Sequence, residues 1–144
     1  MAFLLHNFLH LTRQFERLYS KTIQQAAQKH GLSKTEADVL LFLYNNPEYD
    51  TARDIVEFRG IAKSYVSKTI ELLIQKGFLL AQENENDRRM IHLKLQDNKL
   101  DVVRELKHTQ EELFTLICRN ISDHEREQLS LIFTKLSQNI KEVL

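Results

Sequence analysis

The 144 residues include only one cysteine, one proline and three glycines, and neither sign of charge is in excess. A lone thiol, Cys118, excludes an intramolecular disulfide and points to a reducing, intracellular setting. So few glycines and prolines, with Leu, Glu, Gln and Lys frequent, favour a mostly helical chain. A formal net charge of zero counts against a uniformly basic nucleic-acid coat, although local clustering can still matter. Long apolar runs are missing too. Ala2 to Leu5 is broken by His6 and Asn7 and is too short for a signal-peptide core or a membrane span. The expectation is a soluble cytoplasmic protein with no membrane partner. There is no glycine-rich phosphate loop, no G-x-S-x-G elbow and no H-E-x-x-H motif, and the neighbouring Glu111 and Glu112 point apart on a helix. Neither an enzyme nor a cofactor is expected.

What is present is periodic. From Phe3 to about Lys29, the residues Leu4, Phe8, Leu11, Phe15, Leu18, Ile23 and Ala26 recur at helical steps, and Gly31 ends the run. Ser33 with Glu36 forms a capping box for a second helix with Val39, Leu40, Leu43 and Tyr44 inward, stopped at Asn45-Asn46-Pro47. Thr51 can cap a short third helix to Phe58, and Gly60 turns the chain into a fourth, about Lys63 to Lys76, that buries Val66, Ile70 and Leu73. Two alternating strands follow Gly77, Phe78 to Glu83 and Met90 to Leu95, with Ile91, Leu93 and Leu95 on one face. A long helix from about Asn98 to Arg119 carries Val103, Leu106, Leu113 and Ile117. A second capping box, Ser122 with Glu125, opens a final helix bearing Leu129, Ile132, Phe133, Leu136, Ile140 and Val143.

The fold expected is mainly α (α+β), a winged helix-turn-helix core with long N- and C-terminal helices. Residues 1–144 read as a single chain in which the lobe 33–95 can close a core by itself. The flanking helices, 1–30 and 97–144, are too long for that lobe to cover. The simplest partner for their stripes is a second subunit, so they are read as dimerisation helices. The bland alternative is that they pack on each other within one chain.

The chemistry concentrates between Arg59 and Leu95. With Val66, Ile70 and Leu73 inward, the opposite face of the fourth helix shows Lys63, Ser64, Ser67, Lys68 and Glu71, with Tyr65 on the flank. Lysine and serine at a helix N-terminus suit phosphate and base-edge contacts. Arg59, Lys63, Lys68 and Lys76 stand against one acid, Glu71, an excess hidden by the zero total. An ordinary solvated face would look similar. The hairpin adds a turn of Asn84, Glu85, Asn86 and Asp87 that puts Arg88 and Arg89 at or near its tip, where an arginine can enter a minor groove. Glu83 and Glu85 keep a plain mixed-charge hairpin in play.

Over its whole length the chain resembles the multiple-antibiotic-resistance-regulator (MarR) family of transcription factors. The marks are the helix order, K-S-x-V-S-K at Lys63 to Lys68, L-x-x-K-G-F at Leu73 to Phe78, and D-R-R-x-x-x-L-x-L from Asp87 to Leu95. The resemblance implies a homodimeric regulator, usually a repressor, on a pseudo-palindromic double-stranded DNA operator. It implies that Ser64, Tyr65, Ser67 and Lys68 face the major groove, that Arg89 reaches the minor groove, and that Asp87 orients the wing arginine. It also implies that the first and last helices form the dimer interface, and that a small phenolic or lipophilic effector binds in a crevice. Phe8, Phe15, Tyr19, Phe42 and Tyr44 are the candidate lining, though aromatics at helical spacing are more often plain core. Ala62 stands where the family often has a capping Ser or Thr. Gln96 replaces a common Thr, which leaves Asp97 as a substitute cap, and the family's frequent Gly is missing from Asp97 to Leu100.

Rival readings rest on fewer residues. His6 and His10 have i,i+4 metal-ligand spacing but no clear third ligand, and Cys118 sits on an apolar stripe where a buried hydrophobe fits better than a redox sensor. A winged helix used only for protein contacts is the alternative from another class.

Overall fold

Left-handed and capping residues cut the chain where the sequence marks it. The computed structural model describes residues 1–144. In order it holds α1 (Ala2–Gln28), α2 (Lys34–Asn45), α3 (Ala52–Arg59), α4 (Lys63–Gln75), β1 (Leu79–Glu83), β2 (Ile91–Leu95), a 3-10 turn (Asp97–Lys99), α5 (Leu100–Ile117) and α6 (Asp123–Val143). It divides into two compact units, Met1–Leu113 and Phe114–Leu144.

In the first unit, α2 is the central element. Its residues Glu36 to Leu43 are all buried, so a helix begun by the Ser33–Glu36 capping box ends up surrounded on every side. Thr51 and Asp54 form a matching box at the start of α3, and Gly60 closes that helix at φ +63°, a conformation that costs an L side chain free energy. At the end of α4 the Phe78 N–H reaches the Leu73 carbonyl (2.9 Å) and the Gly77 N–H reaches Ile74 (3.0 Å). This double closure around a left-handed glycine turns the helix directly into β1.

The strands pair antiparallel, Leu79 opposite Leu95 and Glu83 opposite Ile91. Leu79 and Leu93 are buried and Leu95 is half-buried, whereas Ile91, two residues nearer the tip, is 38% exposed. The apolar anchoring of the hairpin is therefore strongest at its base. The Leu93 N–H also donates to the Asp50 carbonyl (2.8 Å), which ties β2 to the segment before α3.

The hydrophobic core does not stop at residues 33 and 95. Ile23 and Ala27 of α1 and Val103 and Leu106 of α5 belong to the same buried cluster as Leu40, Ile55, Val66, Leu73 and Leu93. About one turn each of α1 and α5 thus shares the core of the lobe. Outside those turns α1 is exposed, including Phe3, Leu4, Phe8, Leu11, Phe15 and Leu18. Asp97 does not act as a side-chain cap; a 3-10 turn with no capping side chain leads into α5 instead.

The second unit is a helical hairpin. A turn over residues 118–120 follows α5 and closes at Asn120, the one non-glycine residue with positive φ (63°), and the Ser122–Glu125 box starts α6. Cys118 is buried here, and its carbonyl accepts from the Arg126 guanidinium at 3.3 Å. Ile117, expected on the inner stripe, is more exposed than buried neighbours such as Cys118, and α6 buries none of its 21 residues.

Candidate nucleic-acid interface

Helix α4 is fixed by Val66, Thr69, Ile70 and Leu73, which point inward; the Thr69 hydroxyl is spent on the Tyr65 carbonyl (2.8 Å). That orientation leaves Lys63, Ser64, Tyr65, Ser67 and Lys68 exposed, as the spacing predicts. Ala62 supplies no side-chain cap, although its carbonyl accepts from the Tyr65 and Val66 N–H groups (3.0 Å each), so Lys63 and Ser64 open the helix without a capping side chain.

Two of the four cations in this stretch are already engaged. Lys76 Nζ lies 2.8 Å from both carboxylate oxygens of Glu36 and 2.9 Å from the Gly31 carbonyl. Arg59 Nη2 is 3.4 Å from Asp38 Oδ1, and Lys34 Nζ is 2.7 Å from Asp38 Oδ2. Glu36 and Asp38 are only 2% and 4% exposed, and carboxylates that deep need cationic partners. Arg59 and Lys76 thus hold buried acids, and Lys63 and Lys68 are the lysines left free on α4. The counted excess of charge was partly structural.

At the tip, Asn84 organises the turn. Its side-chain oxygen accepts from the main-chain N–H of Asn86 (2.9 Å) and of Asp87 (3.2 Å), and the Met90 N–H closes onto the Asp87 carbonyl (3.0 Å). Asp87 Oδ1 accepts from the main-chain N–H of Arg89 at 3.0 Å. The carboxylate therefore braces the backbone that carries the arginine, rather than its guanidinium. Arg88 and Arg89 are both exposed. One link was not visible in the sequence: Asn84 Nδ2 meets His92 Nε2 at 2.8 Å, and His92 Nδ1 meets Asp50 Oδ1 at 2.7 Å.

The remaining candidates are dispersed. His6 and His10 stack on an exposed face with ring centroids 6.3 Å apart. Of the aromatics, Phe15 stacks on Tyr19 at 5.8 Å while Phe42 turns into the core against Phe58 at 6.0 Å; Phe8 is exposed and Tyr44 half-buried. The Tyr19 hydroxyl accepts from Gln110 Nε2 (2.8 Å), and Gln110 in turn accepts from Asn45 (3.1 Å). Burial, and then the Asp38 charge, push the Tyr19 pKa above the usual phenol value, which keeps the hydroxyl neutral.

The MarR family matches this chain over residues 30–90, from the end of α1 through the wing tip. Among solved structures, a MarR protein from Peptoclostridium difficile superposes with a TM-score of 0.80 at 19% identity, covering 94% of this chain and 88% of that one. S. aureus MepR in a DNA-binding conformation gives 0.82 at 18% identity over 92% of this chain and 98% of that one. The S. aureus MepR–DNA complex gives 0.74 at 18% identity over 92% and 97%. At these identities the likeness is one of fold.

Proposed function

We propose that the chain is a MarR-family regulator, in line with the family match over residues 30–90, and that it acts as a sequence-specific DNA-binding transcriptional regulator, a cytoplasmic homodimeric repressor released from its operator by a small effector. The observation that carries this reading is α4: an uncapped N-terminus whose exposed face holds Lys63, Ser64, Tyr65, Ser67 and Lys68, followed at once by a hairpin tipped with Arg88 and Arg89. A protein of the same fold, S. aureus MepR, has been solved in complex with DNA, which supports the DNA-binding part of this reading. Ser64, Tyr65 and Ser67 read base edges in the major groove; Lys63 and Lys68 take phosphates. Arg89, with Arg88 beside it, enters the minor groove on a backbone braced by Asp87.

Dimerisation follows from what the helices leave uncovered. All of α6, and α1 as far as Leu18, expose their apolar residues, Phe3, Leu4, Phe8 and Leu11 on one helix and Leu131, Ile132, Phe133 and Ile140 on the other. Apolar surface on this scale is stable in water when a partner covers it. A second copy does so and also supplies the second recognition helix, with half-site centres about 10 bp apart. The Phe15–Tyr19 pair is the proposed edge of the effector crevice. No helix is long and apolar enough to cross a membrane, in keeping with action on DNA rather than in a bilayer.

The test is selection of duplexes from random DNA by the full chain, then titration of the selected duplex by fluorescence anisotropy. A pseudo-palindrome bound as two protomers per site is the expected result. Affinity indifferent to sequence would remove the operator reading, and no affinity at all would favour a protein-contact module.

A further inference from the structure

The segment before α3, β2 and the wing turn meet around a shallow cleft of about 300 Å³, and a chain of three side chains runs through it. Asp50 Oδ1 lies 2.7 Å from His92 Nδ1, and His92 Nε2 lies 2.8 Å from Asn84 Nδ2. Beyond Asn84, its oxygen holds the N–H groups of Asn86 and Asp87, and Asp87 holds that of Arg89.

The protons in this chain can be placed by elimination. Two main-chain N–H donors converge on one Asn84 side-chain atom, so that atom is the oxygen and the amide nitrogen faces His92. An amide nitrogen only donates, so His92 Nε2 must accept and carry no proton. The ring proton then sits on Nδ1 and is donated to Asp50. The second Asn84 N–H points to Met90 Sδ at 3.9 Å, a weak contact that adds little.

On the DNA-binding reading above, we infer that Asp50, His92 and Asn84 are positioning residues of the wing. They hold its arginine-bearing tip in one place, and only while His92 is neutral with its proton on Nδ1. A proton added at Nε2 would face the Asn84 amide nitrogen donor to donor. To relieve this, Asn84 must rotate and offer its oxygen to the imidazolium, and Asn86 and Asp87 then lose their acceptor. Asp50 can hold the imidazolium as readily as the imidazole, so the strain falls on the tip side of the ring. Of the charged groups lining the same cleft, Asp50 from the segment before α3 contacts His92 directly, and Glu83 from β1, Glu85 from the turn and Lys94 from β2 complete the set.

Two arms test the relay in the full chain. Without DNA, nitrogen NMR of the imidazole and amide hydrogen exchange are followed between about pH 8 and about pH 5.5. The expected result is an Nδ1–H tautomer at the alkaline end, with protection of the Asn86 and Asp87 amides falling as His92 titrates. An Nε2–H tautomer, or protection that ignores the titration, would overturn the proposal. With a duplex selected from random DNA, tip disorder should weaken wild-type binding roughly three- to tenfold at acid pH relative to a His92→Gln control, the equivalent of one or two lost hydrogen bonds. Asn84→Asp should invert that profile, because a carboxylate accepts from both the amides and an imidazolium. A purely structural role would lower affinity equally at every pH, and the three proteins would then share one profile. If wild type bound no DNA while the tip amides still followed His92, the DNA reading would fall and the relay would stand.

Discussion

Lys76 Nζ sits 2.8 Å from both oxygens of Glu36, and that pair ties the last turn of α4 to the first turn of α2. Glu36 also accepts from the Ser33 N–H as half of a capping box, so one buried carboxylate serves a helix start and a helix end. Lys76 Nζ reaches the Gly31 carbonyl as well, which brings the end of α1 into the same knot.

Lys76→Met should accordingly act on stability and not on DNA. It strands a buried acid, but the lysine is partly solvated, so the expected loss is about 2 kcal/mol in urea unfolding, below the range for a fully buried pair. The salt dependence of DNA binding should stay at the wild-type slope. A shallower slope would make Lys76 a phosphate contact after all.

Lys63→Ala and Lys68→Ala should behave in the opposite way. Each is exposed and without an intrachain carboxylate partner, so stability should barely move, while the slope of log affinity against log salt drops by about one per lysine per protomer. Loss of sequence preference without a change of slope would assign them to base readout.

Arg89→Ala removes the tip cation but leaves the Arg89 main-chain N–H on Asp87. Operator affinity should fall about tenfold or more with the dimer intact, since a minor-groove arginine is desolvated against focused negative potential. Unchanged affinity would sink the wing assignment. Asp87→Ala tests the brace: it should lower affinity less, by loosening the turn.

Leu136→Glu or Ile140→Glu places a charge on an α6 face that buries nothing within the chain. The expected outcome is a folded monomer at micromolar concentration by light scattering, with operator binding lost because two half-sites can no longer be bridged. A dimer that survived both substitutions would move the interface off α6.

The start of α6 should show its own pH signature. The main-chain and then the side-chain hydrogen bond from Ser122 hold the Glu125 carboxyl below its ordinary value. A depressed acid stabilises the fold above the ordinary carboxyl range and loses that contribution as pH falls through the lowered value. Ser122→Ala removes the side-chain donor and keeps the main-chain one, so the Glu125 titration should move only part of the way up toward the ordinary value in carbon NMR; an unmoved titration would assign the whole depression to the main-chain N–H.

The elements of this fold were legible because their signals are local. Ser33 with Glu36, and Ser122 with Glu125, lie three residues apart and find each other within one turn of helix, whatever the rest of the chain does. The glycines at 60 and 77 stop helices for an equally local reason. Helix order, the hairpin, the inward face of α4 and the exposure of Lys63, Ser64, Ser67, Lys68, Arg88 and Arg89 all follow from such local signals. Periodicity could not tell a stripe that is buried within the chain from one left uncovered, which is why Ile23 and Leu18 read alike and differ in burial. Nor could it tell which cations were free: Lys76 meets Glu36 across 40 residues and His92 meets Asp50 across 42. Pairing over such separations depends on how the elements pack. Only the tertiary structure decided that two lysines of α4 remain for a partner, and that a histidine stands behind the wing.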